Sequence, residues 1–544
     1  MKADVLNRLV EICGLDHVLH TQERLEVYSR CTIPWSRACG AVVFPESVDQ
    51  ICAVVRLCNE THIPLWCFSR GHNWGLGTVL ALQEGALIML LERMNRIHAV
   101  NEELCYAVIE PGVSQRQLKE HLNNTGSRLW IDCTDSTPEG SLIGNALDKG
   151  IGYTPYGDHF GHLCGMQIVL PNGEVAASGG ASKNCPTRYT YKWGTGPFVD
   201  GLFAQSSMGI VVKAGLWLMP KPDSFAMFVV ALDHADALPS ALDALRELGL
   251  QGIVSHWHGF NDFLALARTF GYPAHMLNGK PFLSEQDIKQ LALENGVPCW
   301  TFLGGLYGSR GHVKASKAEI THCFSSLGKV VFMNDHNEKL LKALLRGVRE
   351  PGVRGSVYRG LKSLFHRNFP RLSAATMESL LSLYPILKGE PNEGVLGLAY
   401  FKNKERQPEH DLDPVRDECG FMWFSPVLPA VGNEIAQLIE HVKRICARNH
   451  FKTGIVLIQR NPRTTLLLVP LFFHRTNSEE TERAQRTYDQ LCNLIETKNY
   501  QHHRCCTPEM EKVLDCNPEY RDLLQRIKSA LDPNRVIAPG RYGI

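Results

Sequence analysis

Ser69-Arg70-Gly71-His72-Asn73-Trp74-Gly75-Leu76-Gly77 is the stretch on which the reading of this chain turns. Just before it, Pro64-Leu65-Trp66-Cys67-Phe68 is an apolar run with the length of a short buried strand. Further upstream, Ser47 is placed to cap a helix whose Ile51, Val54, Val55 and Cys58 recur at helical spacing. Helix, strand and then a loop with three glycines is the layout of a phosphate cradle. Glycine lets backbone N–H groups turn inward and approach a diphosphate closely. An ordinary glycine turn has the same outline. The loop lacks the Lys-Ser/Thr ending of a P-loop, and its spacing is not Gly-x-Gly-x-x-Gly. His72, and the motifs C-terminal to the loop, must decide.

Composition narrows the classes. With 544 residues, 44% hydrophobic and 21% charged, the chain can bury a large core, and its length suggests roughly three to four domain-sized units. The net charge is +1 and no basic run is interleaved with aromatics, which argues against nucleic acid as a partner. The 18 cysteines are scattered without a Cys-x-x-Cys pair, as expected of reduced, mostly buried thiols in a cytoplasmic protein. The adjacent Cys505-Cys506 reads as packing. The start, Met1-Lys2-Ala3-Asp4, lacks a signal-peptide apolar core. The longest uncharged apolar stretch, 466–473, is far short of a membrane span, so no membrane partner is expected.

Outward from the glycine loop, strands are expected over 40–45, 86–91 and 105–109, with Ser114 capping a helix through Leu118 and Leu122. This mixture is that of an α+β domain. From 129 to 171 small residues are dense: Gly140-Ser141-Leu142-Ile143-Gly144-Asn145-Ala146, then Gly150-Ile151-Gly152-Tyr153-Thr154-Pro155-Tyr156-Gly157-Asp158-His159. Such a chain can lie flat against a ligand. A hairpin comes next, turning at Asn172-Gly173. The block Gly196-Pro197 to Ser207-Met208-Gly209-Ile210-Val211 leads to a strand ending near Pro220.

Four motifs occur in order: Glu110-Pro111-Gly112-Val113, the Gly152 to His159 run, the block ending Ser207-Met208-Gly209-Ile210-Val211, and Asp532-Pro533-Asn534 to Ala538-Pro539-Gly540. Together they resemble the vanillyl-alcohol oxidase and p-cresol methylhydroxylase family of flavoproteins. The likeness is strong over 40–222, clear over the last ~50 residues and weak between. It implies a two-domain α+β fold: an FAD-binding domain of residues 1–222 completed by 497–544, and a cap domain of 223–496 over the flavin. The middle segment has helical runs over 285–294, 315–327, 338–348 and 432–447, with strands over 302–307 and 465–472. Pro220-Lys221-Pro222 marks the entry to the cap.

The resemblance also implies roles. FAD supplies hydride chemistry that no side chain can perform. Arg70, Gly71, His72, Asn73, Gly75 and Leu76 would hold the cofactor from the glycine loop. Ser141, Asn145, Gly150, Gly152, Tyr153, Gly209 and Ile210 would line it. In related berberine-bridge-type enzymes a Gly-His pair in this loop carries the flavin covalently, and His72 is similarly placed. The segment that provides a cap-domain histidine in vanillyl-alcohol oxidase has Arg463, Thr464 and Thr465 here. Any covalent link is therefore expected through His72. Asp135 matches the aspartate beside flavin N5 that serves as acid/base, although one extra residue separates it from Ser141, and Asp132 and Glu139 are competing carboxylates. Arg541 would sit close to the flavin and balance charge on the reduced ring.

Phenolate recognition in the family uses two tyrosines and an arginine. Asn499-Tyr500-Gln501-His502-His503-Arg504 resembles the segment concerned: Tyr500 matches, Gln501 stands where the arginine should be, and Leu76 replaces the loop tyrosine. A phenol has a pKa of about 10, so ionising it at pH 7 takes about 4 kcal/mol. A charged hydrogen bond contributes about 1.5–3 kcal/mol and a neutral one about 1. Tyr500 and Gln501 alone fall short. Either His503 or Arg504 substitutes, or the substrate is larger and different, such as a biosynthetic intermediate. His256 and His258 lack an evident third metal ligand and read as core or pocket-lining residues, so no metal is expected. The expected function is an FAD-dependent oxidase of aromatic alcohols or benzylic C–H bonds, with O₂ as acceptor giving H₂O₂ and with a homodimer as the family norm. A dehydrogenase serving a separate electron carrier and a flavin-binding protein without turnover are the alternatives.

Overall fold

The computed structural model describes residues 1–180, 182, 184–270, 284–348 and 381–544. Its first layer grows from the glycine-loop neighbourhood. Ser47 caps the helix Val48–Thr61, its hydroxyl accepting the Gln50 amide at 3.3 Å, and Ile51, Val54, Val55 and Cys58 are all buried. That helix is the crossover between the strands Ala41–Val43 and Leu65–Phe68, which flank Leu87–Leu90 on either side, both in parallel register. All four residues of Leu87–Leu90 are buried, which explains why the run carries no alternation.

A second, antiparallel sheet has the spatial order Ile97–Asn101, Tyr106–Ile109, Ile210–Trp217, Leu163–Val169, Val175–Ala177. Its hairpin turns at Asn172-Gly173 as the dipeptide predicts: the Gly173 amide donates to Leu170 and Val169 faces Val175. The loops at one end of this sheet carry the small-residue motifs.

The middle of the chain builds a large antiparallel sheet. Ser224–Leu232 pairs with Trp300–Gly308 along its whole length, and the sheet continues through His258–Asn261, Val456–Asn461, Thr464–His474 and Pro426–Pro429. Helices Leu238–Leu250 and Gly432–Arg448 pack on each other and bury Leu242, Leu245, Ile435 and Leu438 with Phe228, Phe302 and Phe424 of the strands. The helix expected over 315–327 runs instead over Arg310–Cys323, because Ser309 caps it, accepting the His312 amide at 3.2 Å. The sheet ends on Gln501–His502, so the chain leaves it just after His502 rather than at 497.

The C-terminus then returns to the first layer. Leu65 donates to Val536 and accepts from Ala538, each at 2.8 Å. Lys528, fully buried, donates to Ser207 O (2.6 Å), Asp532 Oδ2 (2.7 Å) and Ile537 O (2.8 Å), and Asp532 accepts the Val536 and Ile537 amides. Among the described residues no helix is long and apolar enough to cross a membrane.

Candidate active site

Two cavities of about 260 and 190 Å³ meet beneath the large sheet. Six residues line both: His72, Asn73, Thr134, Ser136, Asn145 and Arg504. The larger is walled mainly by apolar side chains of the middle segment, including Phe260, Leu264, Leu396, Phe421, Trp423 and Phe472. The smaller runs along the glycine loop, Ser141, Gly209, Ile210 and Arg541.

The glycine loop divides its work. Arg70, Gly71, His72 and Asn73 line the smaller cavity, and Leu76 the larger. Gly75 lines neither. Its φ is +77°, and a Cβ there would lie 2.3 Å from the Trp423 ring, so glycine is needed for the loop to press against the middle segment. The Gly75 carbonyl accepts the Trp423 amide at 3.0 Å and its amide donates to the Thr32 hydroxyl at 2.7 Å. This part of the loop is a docking surface between the two halves of the molecule.

His72 sits at the seam with its ring centroid 5.0 Å from that of Trp74. Burial, with the nearby Arg70 charge, lowers its pKa, so the imidazole is neutral near pH 7. Its Nδ1 is buried without a hydrogen-bond partner among the described residues.

Of the three competing carboxylates, Asp135 alone lines a cavity. Tyr153 Oη donates to Asp135 Oδ2 at 2.5 Å, and the Tyr153 ring is stacked on His258 at 3.8 Å. Glu139 pairs with Arg70 and Arg116. Asp132 is buried against Thr154 and His159. Burial pushes its carboxyl up, but the His159 hydrogen bond and charge and the Thr154 donors outweigh this and hold it below the usual range. Gly150 and Gly152 line neither cavity; they pack against Asn145 and Asp132.

Tyr500 and Gln501 lie outside both cavities. Tyr500 packs half-buried against the core of the large sheet, and Gln501 is exposed on the edge strand opposite Val427. Of the same segment, His503 and Arg504, the two residues expected to substitute for the missing arginine, line the larger cavity. Ser425 sets this register, its carbonyl accepting the His503 amide (2.8 Å) and its hydroxyl donating to the Arg504 carbonyl (2.7 Å). Arg504 Nε donates to the Asp148 carbonyl at 2.6 Å, and Arg541 Nη2 approaches Asp148 Oδ1 at 3.7 Å. His503 is pushed well below the usual histidine range by burial, with Arg504 adding to the effect.

Sequence reading missed the walls of the larger cavity. His258, one of the two histidines read as core or pocket-lining, lines the larger cavity. Thr301, Phe421, Trp423 and Ser425 sit on or beside strands whose apolar runs look like any sheet core, so no local signal marked them.

The FAD implied by the sequence fits these residues. Arg70 and Arg541 along the smaller cavity suit a diphosphate, and its loops bring small residues close. Buried Nε atoms of Arg70 and Arg541 and His72 Nδ1 lack protein partners among the described residues, as donors and acceptors kept for a cofactor do.

Known proteins agree with this fit. Residues 39–179 match the family model described as an FAD binding domain. The chain is 32% identical to 1'-carboxy-chondrochloren decarboxylase of Chondromyces crocatus, over 98% of this chain and 95% of that one. It is 30% identical to the 4-cresol dehydrogenase [hydroxylating] flavoprotein subunit of Pseudomonas putida, over 98% and 94%. The solved structure of p-cresol methylhydroxylase with substrate bound superposes with a TM-score of 0.85 at 28% identity, covering 99% of this chain and 96% of that one.

Proposed function

Because the chain belongs to the p-cresol methylhydroxylase family of FAD-linked oxidoreductases, we propose that it oxidises an aromatic alcohol, or the benzylic carbon of a phenol, that carries a large apolar substituent. FAD, when bound, accepts the hydride. The observation that carries the reading is the character of the larger cavity: Asp135, Tyr153, His503 and Arg504 line it together, Arg504 reaching the smaller cavity as well, and most of the other lining side chains are apolar.

The residues divide the task. Arg70, Ser141 and Arg541 hold the cofactor's diphosphate and sugar end, with Gly209 and Ile210 beside them. Arg504 provides the charged partner that Gln501 cannot. A charged hydrogen bond of about 1.5–3 kcal/mol supplies part of the roughly 4 kcal/mol needed to ionise a phenol at neutral pH. Asp135, held by Tyr153, takes up or returns the proton that accompanies hydride loss. Leu76 widens the pocket where a tyrosine would fill it. His72, neutral and with Nδ1 unbonded, is the residue that would hold the flavin at the seam, and through which a covalent attachment would run. Acid precipitation tests this attachment: yellow colour stays with the wild-type pellet and leaves it in His72→Ala. We assign residues 1–222 and the stretch after His502 to cofactor binding, and the sheet-forming middle to the cap.

The decisive experiment is anaerobic bleaching of the bound flavin with para-substituted phenols, aromatic alcohols and their carboxylated analogues. Reduction by at least one bulky member is expected, and reoxidation in air then yields H₂O₂. Bleaching without peroxide assigns electron transfer to a separate carrier. Failure of the whole panel favours a flavin protein without turnover. The carboxylated compounds are included because the relative from Chondromyces crocatus is a decarboxylase by name, and CO₂ release would identify that variant.

A further inference from the structure

Asn145 lines both cavities at their seam. Its Oδ1 lies 2.6 Å from His159 Nδ1, and His159 Nε2 lies 3.1 Å from Asp132 Oδ1. Asp132 accepts, in addition, the backbone amides of Tyr153 (3.1 Å) and Thr154 (2.8 Å) and the Thr154 hydroxyl. The side chains of His159 and Asp132 are only 7% and 4% exposed. Two glycines make room for this chain of contacts: a Cβ on Gly150 would fall 1.7 Å from Asn145 Oδ1, and one on Gly152 would fall 1.5 Å from Asp132 Oδ1. The motif from Gly150 to His159 thus builds one buried assembly, in which His159 borders the smaller cavity and Asn145 alone of its polar side chains lines both.

The chemistry of the assembly fixes its polarity. An ionised carboxylate is only an acceptor, so His159 donates to it through Nε2. A carboxamide oxygen is also only an acceptor, so His159 donates to Asn145 through Nδ1. Both ring nitrogens of His159 then act as donors, one toward Asp132 and one toward Asn145. An amide whose oxygen is held by such a donor has its NH₂ turned away from that donor and made a better donor itself.

We propose that the Asp132–His159 pair is a positioning device that presents the NH₂ of Asn145 to the flavin at the seam and thereby stabilises the reduced cofactor. Asn145 would touch the cofactor, while His159 and Asp132 act through it. The inference rests on FAD binding and is independent of the substrate reading, since its readout needs no substrate.

The test is the midpoint potential of the flavin in the purified holoenzyme, measured by anaerobic dye equilibration. Asn145→Ala and His159→Leu are each expected to lower the potential, and the double variant to fall no further than Asn145→Ala alone. His159→Asn, whose amide can donate from about the position of Nδ1, should recover most of the wild-type value. Asp132→Asn, nearly isosteric, should lower the potential in the same direction and covers the case in which His159→Leu does not fold. A wild-type potential in Asp132→Asn or in folded His159→Leu would overturn the proposal. So would additive shifts in the double variant, or no recovery in His159→Asn.

Discussion

Asp135 shows what one carboxylate gains from its neighbours. Asp132, three residues earlier, is sealed in with a histidine, and Glu139 is spent on two arginines. Asp135 takes the Tyr153 hydroxyl and faces the larger cavity. Replacing it with alanine should slow anaerobic flavin reduction about 10²–10⁴-fold, the usual contribution of a positioned acid or base. Flavin content per protein should stay near wild type, because Arg70, Ser141 and Arg541, rather than Asp135, line the smaller cavity. Stopped-flow reduction alongside the absorbance ratio of flavin to protein separates the two, and equal loss of both would remove Asp135 from the chemistry. The family motif singled out Asp135 among three nearby carboxylates, but not what separates them, since burial and partners depend on chain segments that meet only in the fold. The same limit explains Tyr500 and Gln501. Residue type pointed to them, yet the edge strand turns Gln501 outward, and the pairing of Ser425 with His503 sets which side chains enter the cavity.

At the scale of elements, two charged locks hold the long-range contacts. Glu480, in the first turn of the helix Ser478–Thr497, accepts the His474 amide (2.7 Å) and faces His474 Nδ1 (3.1 Å). Burial by itself pushes this carboxyl up; the His474 side chain and backbone donors, with the Lys402 charge, bring it down to about 2 from 4.5. A carboxyl lowered in the folded state adds stability above its unfolded pKa, and loses it as pH falls through the folded value. Glu480 should therefore contribute at most about 3 kcal/mol at neutral pH, fading between pH 4.5 and about 2. Urea unfolding of wild type and Glu480→Gln should differ at pH 7 and converge near pH 2. Lys528 is the second lock, tying the C-terminal helix Pro518–Leu531 to Ser207 and to the strand-like return at Ile537. Lys528→Met leaves Asp532 buried and uncompensated, so a loss of about 3–5 kcal/mol is expected, read as a lower midpoint in thermal unfolding and weaker flavin retention. The sequence marked this region by its Asp-Pro-Asn motif and by helical spacing. It gave no sign of the lysine's role, because a lysine on a helix is ordinarily solvated.

The whole molecule is two layered units joined twice, where the chain enters the large sheet at Ser224 and where it leaves after His502. The motif-rich half contributes Asp135 and Tyr153 to the larger cavity, and the middle segment contributes much of its apolar wall, including Leu264, Ala265, Leu383, Val395, Leu396, Leu398 and Ala399. This division accounts for what could be read in advance. Cofactor-binding loops must present backbone and small side chains in a fixed order, and they leave a pattern. A substrate wall needs only apolar volume, which many sequences supply equally well. The wall should therefore set which substrates enter without altering the chemistry. Ala399 is buried and lines the larger cavity, so Ala399→Phe should fill space in it without replacing Asp135, Tyr153 or Arg504. Each methylene that no longer fits is worth about 1–3 kcal/mol, or roughly 10–200-fold in kcat/KM. Across phenols with para-alkyl chains of increasing length, the variant should match wild type on the shortest and fall progressively behind on the longest. A uniform loss at every length would mean that the substitution disturbs the catalytic residues. An unchanged profile would mean that substrates do not extend toward Ala399.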